Sequence, residues 1–166
     1  MEKLRYKKPE AIRQLEAEIF ELKKIKYPTV PYLTRQEYTD KTANGLTKSI
    51  CDFIRLHKGQ AERVNSMGRP VDRRQTFIDV VGIKRTIGNI EWVPGTTTAG
   101  TADISATIAG RSVKIEVKIG TDRQSEAQRQ YQKNIETAGG IYYIAKDFTS
   151  FVEWYNLKFG KEICNG

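Results

Sequence analysis

Ala102–Ile119 reads ADISATIAGRSVKIEVKI. Ile104, Ala106 and Ile108 alternate with Asp103, Ser105 and Thr107. Beyond Ala109-Gly110, Val113, Ile115, Val117 and Ile119 alternate with Ser112, Lys114, Glu116 and Lys118. Period-two alternation on both sides of a short turn predicts a β-hairpin with one buried face. Gly110 suits the turn, whereas Ala is not a favoured residue for the primed turns that hairpins use.

The register follows from the turn. If Ile108 faces Arg111, then Asp103 faces Glu116, and Lys118 lies two residues on along the same face. Directly opposed Cβ atoms are ~4.5–5.5 Å apart. Two carboxylates at that distance repel by roughly 3 kcal/mol at an effective dielectric of ~20. A half-buried sheet needs compensation for such a pair. Lys118 supplies one positive charge, and a divalent cation between the carboxylates would supply more. Hard oxygen ligands suit Mg²⁺ or Mn²⁺.

The spacing D-x12-E-x-K resembles the signature of the PD-(D/E)XK nucleases. G-T-A-D-I-S, I-E-V-K-I-G, S-E-A-Q ahead of a helix and A-G-G-I-Y-Y-I-A together are similar to the VRR-NUC branch, including its single-domain phage-type members, over roughly residues 60–155. Ala102 stands where that family often has Pro, a change in turn shape more than in chemistry. The resemblance implies an α/β fold: a restriction-endonuclease-like mixed sheet flanked by helices. It implies Mg²⁺- or Mn²⁺-dependent hydrolysis of DNA phosphodiester bonds, with junction resolution, flap cutting and nicking all within range. Asp103, Glu116 and a main-chain carbonyl near Val117 would hold the metal. Lys118 would orient the attacking water, and Gln128 would position Lys118 or the phosphate. The superfamily often adds one more acid from the helix before the sheet. Asp52 and Glu62 are the two candidates.

Gln128 also has an explanation that needs no catalysis. Ser125 and Gln128 make S-x-x-Q, the capping box of a helix expected to run to about Thr137. After Gly139-Gly140, the apolar run Ile141–Ala145 reads as a central strand. Strand, helix, strand implies a parallel crossover. Asp147 is placed to cap a last helix carrying Phe148, Phe151, Val152, Trp154 and Tyr155, an aromatic set more typical of a core than of a base-stacking platform.

The 166 residues suffice for one core with an extension. The organisation expected is an N-terminal helical extension over 1–33 and a nuclease domain over 34–166. Ile12, Leu15, Ile19 and Leu22 recur at helical spacing from Pro9 to Lys26, and Pro28 and Pro31 stop the helix. Its apolar stripe lies outside the resemblance. It packs either on its own domain or on a second copy, and a C₂ homodimer presenting two sites is the expectation. The region from 34 to 38 is read as the start of a short helix, 47–57 as a second helix and 60–66 as a strand. Residues 67–70 read as a turn, 76–81 as a strand, 82–89 as a turn-rich insertion, and 90–93 as a further strand.

The formal net charge is +8, which favours a polyanionic partner without specifying function. Arg63, Arg69, Arg73, Arg74, Lys84 and Arg85 cluster in sequence and are the candidate DNA contacts; the bland alternative is a solvated charged surface. The loop PGTTTAG over 94–100 lacks the Gly-Lys-Ser/Thr of a P-loop. No apolar run approaches the ~18 residues of a membrane span. MEKLRYKKPEAI lacks the apolar core of a signal peptide. Cys51 and Cys164 are far apart and the one His is His57, so no zinc spacing exists and free thiols in a reducing cytoplasm are expected. The rival readings are a non-catalytic nucleic-acid-binding protein and an assembly protein built on the N-terminal helix.

Overall fold

The computed structural model describes residues 6–65, 68–93, 95 and 97–163. Ser66, Met67, Pro94, Thr96 and Cys164, which the sequence reads as part of a strand, a turn and a loop and as a free thiol, lie outside them. In chain order the elements are α1 (Glu10–Lys26), α2 (Ala43–Leu56), β1 (Gln60–Arg63), β2 (Arg69–Asp72), β3 (Gln75–Ile78), β4 (Lys84–Ile87), β5 (Ile90–Val93), β6 (Ile104–Ile108), β7 (Arg111–Val117), α3 (Glu126–Thr137), β8 (Ile141–Ala145) and α4 (Phe148–Ile163). They form two compact units, one of residues 1–64 with 99–166, the other of residues 65–98. Among the described residues no helix is long and apolar enough to cross a membrane.

The larger unit is mixed α/β. Its sheet has the order β1-β6-β7-β8. The first three strands are antiparallel, and β8 runs parallel to β7. A parallel neighbour needs a crossover, which α3 supplies. The hairpin has the register read from its turn, with Ile104 opposite Ile115 and Ile108 opposite Arg111. Alternation then sorts the side chains. Ile104, Ala106, Ile108, Val113, Ile115 and Val117 are buried on one face, in one core with Ile12, Leu46, Ile50, Ile54, Phe148, Phe151 and Phe159 of α1, α2 and α4. The polar face carries Asp103, Ser105, Lys114, Glu116 and Lys118, and α3 lies over it.

The turn residues Ala109 and Gly110 both have positive φ, 48° and 74°, as a primed turn demands. An L-residue there costs about 1–2 kcal/mol, less for Asn. Ala109 is exposed, so Ala109→Asn removes strain without touching the core. The expected gain is about 0.5–1 kcal/mol, or roughly 2–3 °C in melting temperature for a chain of this size. A melting temperature that is unchanged or lower contradicts the assignment of strain to this turn.

Several expectations shift. Ile141–Ala145 is an edge strand, not a central one. Its run is apolar because both of its faces are covered: Tyr142 meets Tyr131 of α3 edge-on, and Tyr143 stacks at 4.2 Å on Trp154 of α4. No helix starts at 34–38. That stretch has no regular secondary structure, and the Tyr38 N–H donates to Glu16 Oε1 at 2.7 Å. Helix α2 begins earlier than periodicity suggested because Thr42 caps it, accepting from the Gly45 N–H. Helix α1 packs on its own domain through Ile12 and Leu15, which are buried, while Leu22 and Ile25 remain 50% and 76% exposed. Only that last pair is left for a second copy to cover along this helix.

In the smaller unit β2 pairs with β5 and β3 with β4, both antiparallel. The strands are nested, so the segment is a long hairpin. Arg69-Pro70 begins a strand, not a turn, and the expected insertion contains β4. Periodicity missed β4 because Lys84, Arg85, Thr86 and Ile87 are all exposed, which leaves no apolar alternation to read.

Candidate active site

The polar face of the β6–β7 hairpin assembles the candidate residues. Asp103 sits just before β6 and is held from both sides. Its carbonyl oxygen accepts the Val64 N–H at 2.8 Å, and its Oδ2 accepts the Val117 N–H at 2.9 Å. One step beyond the Ile104–Ile115 pair, it faces Glu116. Glu116 is 1% exposed and Lys118 8%. Lys118 Nζ lies 3.1 Å from Glu116 Oε1 and 3.4 Å from Asp122 Oδ2.

Gln128 uses both ends of its amide, and the side chain it reaches in the site is Glu116, not Lys118. Its Oε1 accepts the Ser125 N–H at 2.9 Å, completing the capping box. Its Nε2 donates to Glu116 Oε1 at 2.5 Å. The start of α3 is thereby tied to the buried carboxylate, and the same side chain closes the helix end and enters the site.

Glu116 Oε1 is well supplied with donors, but Oε2 is buried with no partner. Burial pushes the Glu116 carboxyl above its ordinary range, the charge of Asp103 pushes it further, and Lys118 pulls it back in part. For Lys118, burial pulls the ammonium down, but the hydrogen bond and charge of Glu116, with Asp122, outweigh it and the net direction is up. Lys118 is therefore a fixed cation.

Among the described residues no cluster of three or more His, Cys, Asp or Glu could hold a metal. The site offers two carboxylates, with the Val117 carbonyl as the further donor expected from the sequence. An all-oxygen set of this size suits Mg²⁺, which keeps several waters and takes few protein ligands. The orphaned Oε2 is the atom such an ion would satisfy, so the residues fit the group.

This has a measurable pH signature. A proton would compete with such an ion for Glu116. Mn²⁺ affinity, followed by electron paramagnetic resonance, is expected to tighten up to about tenfold per pH unit above the ordinary Glu range and to level off above the raised pKa. The metal-free fold binds that proton more tightly than the unfolded chain does. Its stability should therefore fall as pH rises through the same window, and Glu116→Gln should flatten the slope. Metal affinity independent of pH across that window is the contrary result.

The other candidates have partners or surroundings of their own. Glu62 is exposed on β1 and faces Ser105, diagonal to Asp103. Asp52 accepts from the Tyr38 hydroxyl at 2.8 Å and from Arg55 at 3.1 Å, and no hydrogen bond joins it to Asp103 or Glu116. Arg63 donates to Asn44 Oδ1. Arg69, Arg73, Arg74, Lys84 and Arg85 all belong to the smaller unit. There Arg73 pairs with Glu91, Arg74 with Asp72 and Arg85 with Asp79, so three of these five cations already have an anion. Sequence reasoning missed Asp122 and Tyr142. Asp122 is four residues after Lys118, in a loop with no periodicity to orient it. Tyr142 reads as core until its register against Lys114 puts it on the polar face.

No protein-family model matches the chain, and comparison with curated proteins and with solved structures likewise gives no match.

Proposed function

We propose that the chain is a divalent-metal-dependent nuclease of restriction-endonuclease-like fold that hydrolyses DNA phosphodiester bonds. One observation carries the reading: Glu116, opposed to Asp103 and beside Lys118, has a buried oxygen with no partner. Leaving a charged acceptor unsatisfied costs more than the ~1–3 kcal/mol of a neutral group, and a cation at that oxygen removes the cost. Asp103, Glu116 and the Val117 carbonyl would hold Mg²⁺ or Mn²⁺. Such an ion, when bound, would polarise a phosphoryl oxygen and acidify a water. The order of parts supports the fold family: an antiparallel hairpin bearing D…E-x-K, then a helix, then a parallel strand.

The protein's own groups divide the remaining work. Lys118 stays protonated, so it orients the attacking water and offsets charge on the pentacovalent phosphorus without acting as a base. Gln128 holds Glu116 Oε1 and leaves Oε2 open. His57 is the C-cap of α2, stacked on Phe53 at 4.2 Å, and takes no part in the chemistry.

Nicking of supercoiled plasmid in Mg²⁺, with Asp103→Ala as control, tests the proposal. Cleavage that persists in EDTA or in Asp103→Ala rules it out. So does a complete lack of cleavage on plasmid, junction and flap, the result expected of a purely nucleic-acid-binding or assembly protein.

Binding is expected to be electrostatic. Log K should fall linearly with log salt, at about −0.9 per neutralised phosphate on duplex DNA. Arg73→Ala and Arg74→Ala should weaken all sequences alike and reduce the slope by about 1 each. Arginines that serve only their ion pairs with Glu91 and Asp72 would leave the slope unchanged, and this comparison distinguishes the two cases.

A further inference from the structure

No residue from 68 to 93 is buried. The two ladders of this smaller unit share one register, with Arg69 opposite Val93 and Ile78 opposite Lys84. Across the break between them the Arg73 N–H donates to the Asn89 carbonyl at 3.0 Å. The segment is therefore a single two-stranded ribbon, about 30 Å from its first rung to its last. A bare two-stranded ribbon is marginally stable in water, so a partner that covers it also stabilises it.

The tip of the ribbon is tightly built. The Asp79 N–H donates to the Ile83 carbonyl and the Gly82 N–H to the Asp79 carbonyl, both at 2.9 Å. Asp79 Oδ1 accepts the Val81 N–H at 3.0 Å and the Ile83 N–H at 2.9 Å. Gly82, with φ 80°, closes the three-residue loop. This turn holds out Val80, fully exposed, and Val81, 71% exposed, with Ile78 and Ile83 behind them at 72% and 56%. Single exposed apolar residues are ordinary. Four together at one tip make a patch, and such patches mark interaction sites.

Charge identifies the partner. Behind the tip, Ile78 stands opposite Lys84 and Phe77 opposite Arg85, and residues 69–93 carry five cations against three carboxylates. The core of an interface between two copies is depleted of charge. Four aliphatic side chains also fall short of the ~1,200 Å² that a stable interface buries, and two copies would bring like charges together. A nucleic acid meets both needs. Its phosphates take the cations, which their exposed ion pairs hold only weakly, and its base faces take the apolar tip. A two-stranded ribbon fits a DNA groove, and apolar side chains can enter between base steps at the cost of unstacking them. Valine is a short wedge, so it favours a step that is already open over one in intact duplex.

We propose that the 69–93 ribbon is a DNA-contacting arm whose Val80–Val81 tip inserts at an open base step, which makes branched DNA the preferred substrate of this chain. Cleavage at the branch rests on the nuclease reading of the Asp103–Glu116 row; the insertion itself is measured without metal.

The test uses the full chain and two probes of equal length, an intact duplex and a three-way junction, each with 2-aminopurine in one stacked pair; in the junction that pair flanks the branch. Without metal, wild type should bind the junction about tenfold more tightly than the duplex and raise the junction fluorescence about twofold. Val80→Ser combined with Val81→Ser should lose the preference and the fluorescence rise while keeping duplex affinity. Val80→Ile with Val81→Leu should keep both. In Mg²⁺ the Ser variant should cut the junction about tenfold more slowly than wild type and the duplex at the wild-type rate.

Equal wild-type affinity for the two probes, or a preference that survives in the Ser variant, overturns the wedge. A wild-type dimer that the Ser variant converts to monomer in sedimentation also overturns it, as does tip-dependent flotation with phosphatidylglycerol vesicles, because the tip would then serve a second copy or a lipid surface. If wild type cuts neither probe in Mg²⁺, the nuclease reading fails, and the metal-free comparison still decides the wedge. If the double Ser variant melts early, Val81→Ser alone carries the same comparison.

Discussion

Asp103→Asn and Glu116→Gln are each expected to reduce metal-dependent cleavage by about 10³-fold or more, while DNA affinity stays within a few-fold of wild type. The two carboxylates face each other across the hairpin, and Glu116 is almost wholly enclosed. Neither is placed to attract a polyanion, so binding and cleavage should separate. The stability of Glu116→Gln distinguishes this reading from a structural ion pair. A buried charge whose removal leaves a partner uncompensated usually destabilises by several kcal/mol. Here burial and Asp103 already push the Glu116 carboxyl upward, so the neutral amide suits the metal-free fold at least as well as the carboxylate does. Glu116→Gln should therefore melt at or above the wild-type temperature at neutral pH while losing both cleavage and Mn²⁺ binding. Equal Mn²⁺ affinity in wild type and both variants, or a large drop in melting temperature of Glu116→Gln, would falsify the assignment of this pair to a metal.

Lys118→Met should lower cleavage by about 10²–10³-fold, in kcat more than in KM. The ammonium is too enclosed to make a major share of DNA contacts, but it is the cation that Glu116 touches at 3.1 Å. Removing it also deletes the group that pulls the Glu116 carboxyl down. Residual activity should then rise only at higher pH than in wild type, and Mn²⁺ affinity near neutral pH should weaken. A merely structural lysine would move the melting temperature and leave the pH profile where it was. A loss below tenfold with an unshifted profile removes Lys118 from the chemistry.

The hairpin and its register were legible in the sequence because a strand has a period of two. Once the Ala109-Gly110 turn is located, every residue from Asp103 to Lys118 is assigned a face, and a slip of one would bury the charges. The Ser125 cap of α3 and the Asp147 cap of α4 were equally local, since caps are read within four residues, and the parallel crossover followed from the order strand, helix, strand. The Ser150 N–H does donate to Asp147 Oδ1, at 2.8 Å.

Other features depended on residues distant in the chain. Whether Ile141–Ala145 is flanked by strands or covered by helices cannot be told from its own composition, because both bury apolar side chains. Ile12, Leu15 and Ile19 of the α1 stripe pack on the core while Leu22 stays exposed, and no periodicity distinguishes a helix that docks at home from one that docks on a partner. A run of arginines does not announce its anions. Glu91 meets Arg73 only because β2 pairs with β5, well downstream, and Asp79 meets Arg85 only once β3 and β4 fold back on each other. The orphaned Glu116 oxygen depends on desolvation, which is a property of packing. Local spacing determined which residues share a face; burial, made by helices that arrive from elsewhere in the chain, decided which of their polar atoms are left open to a ligand.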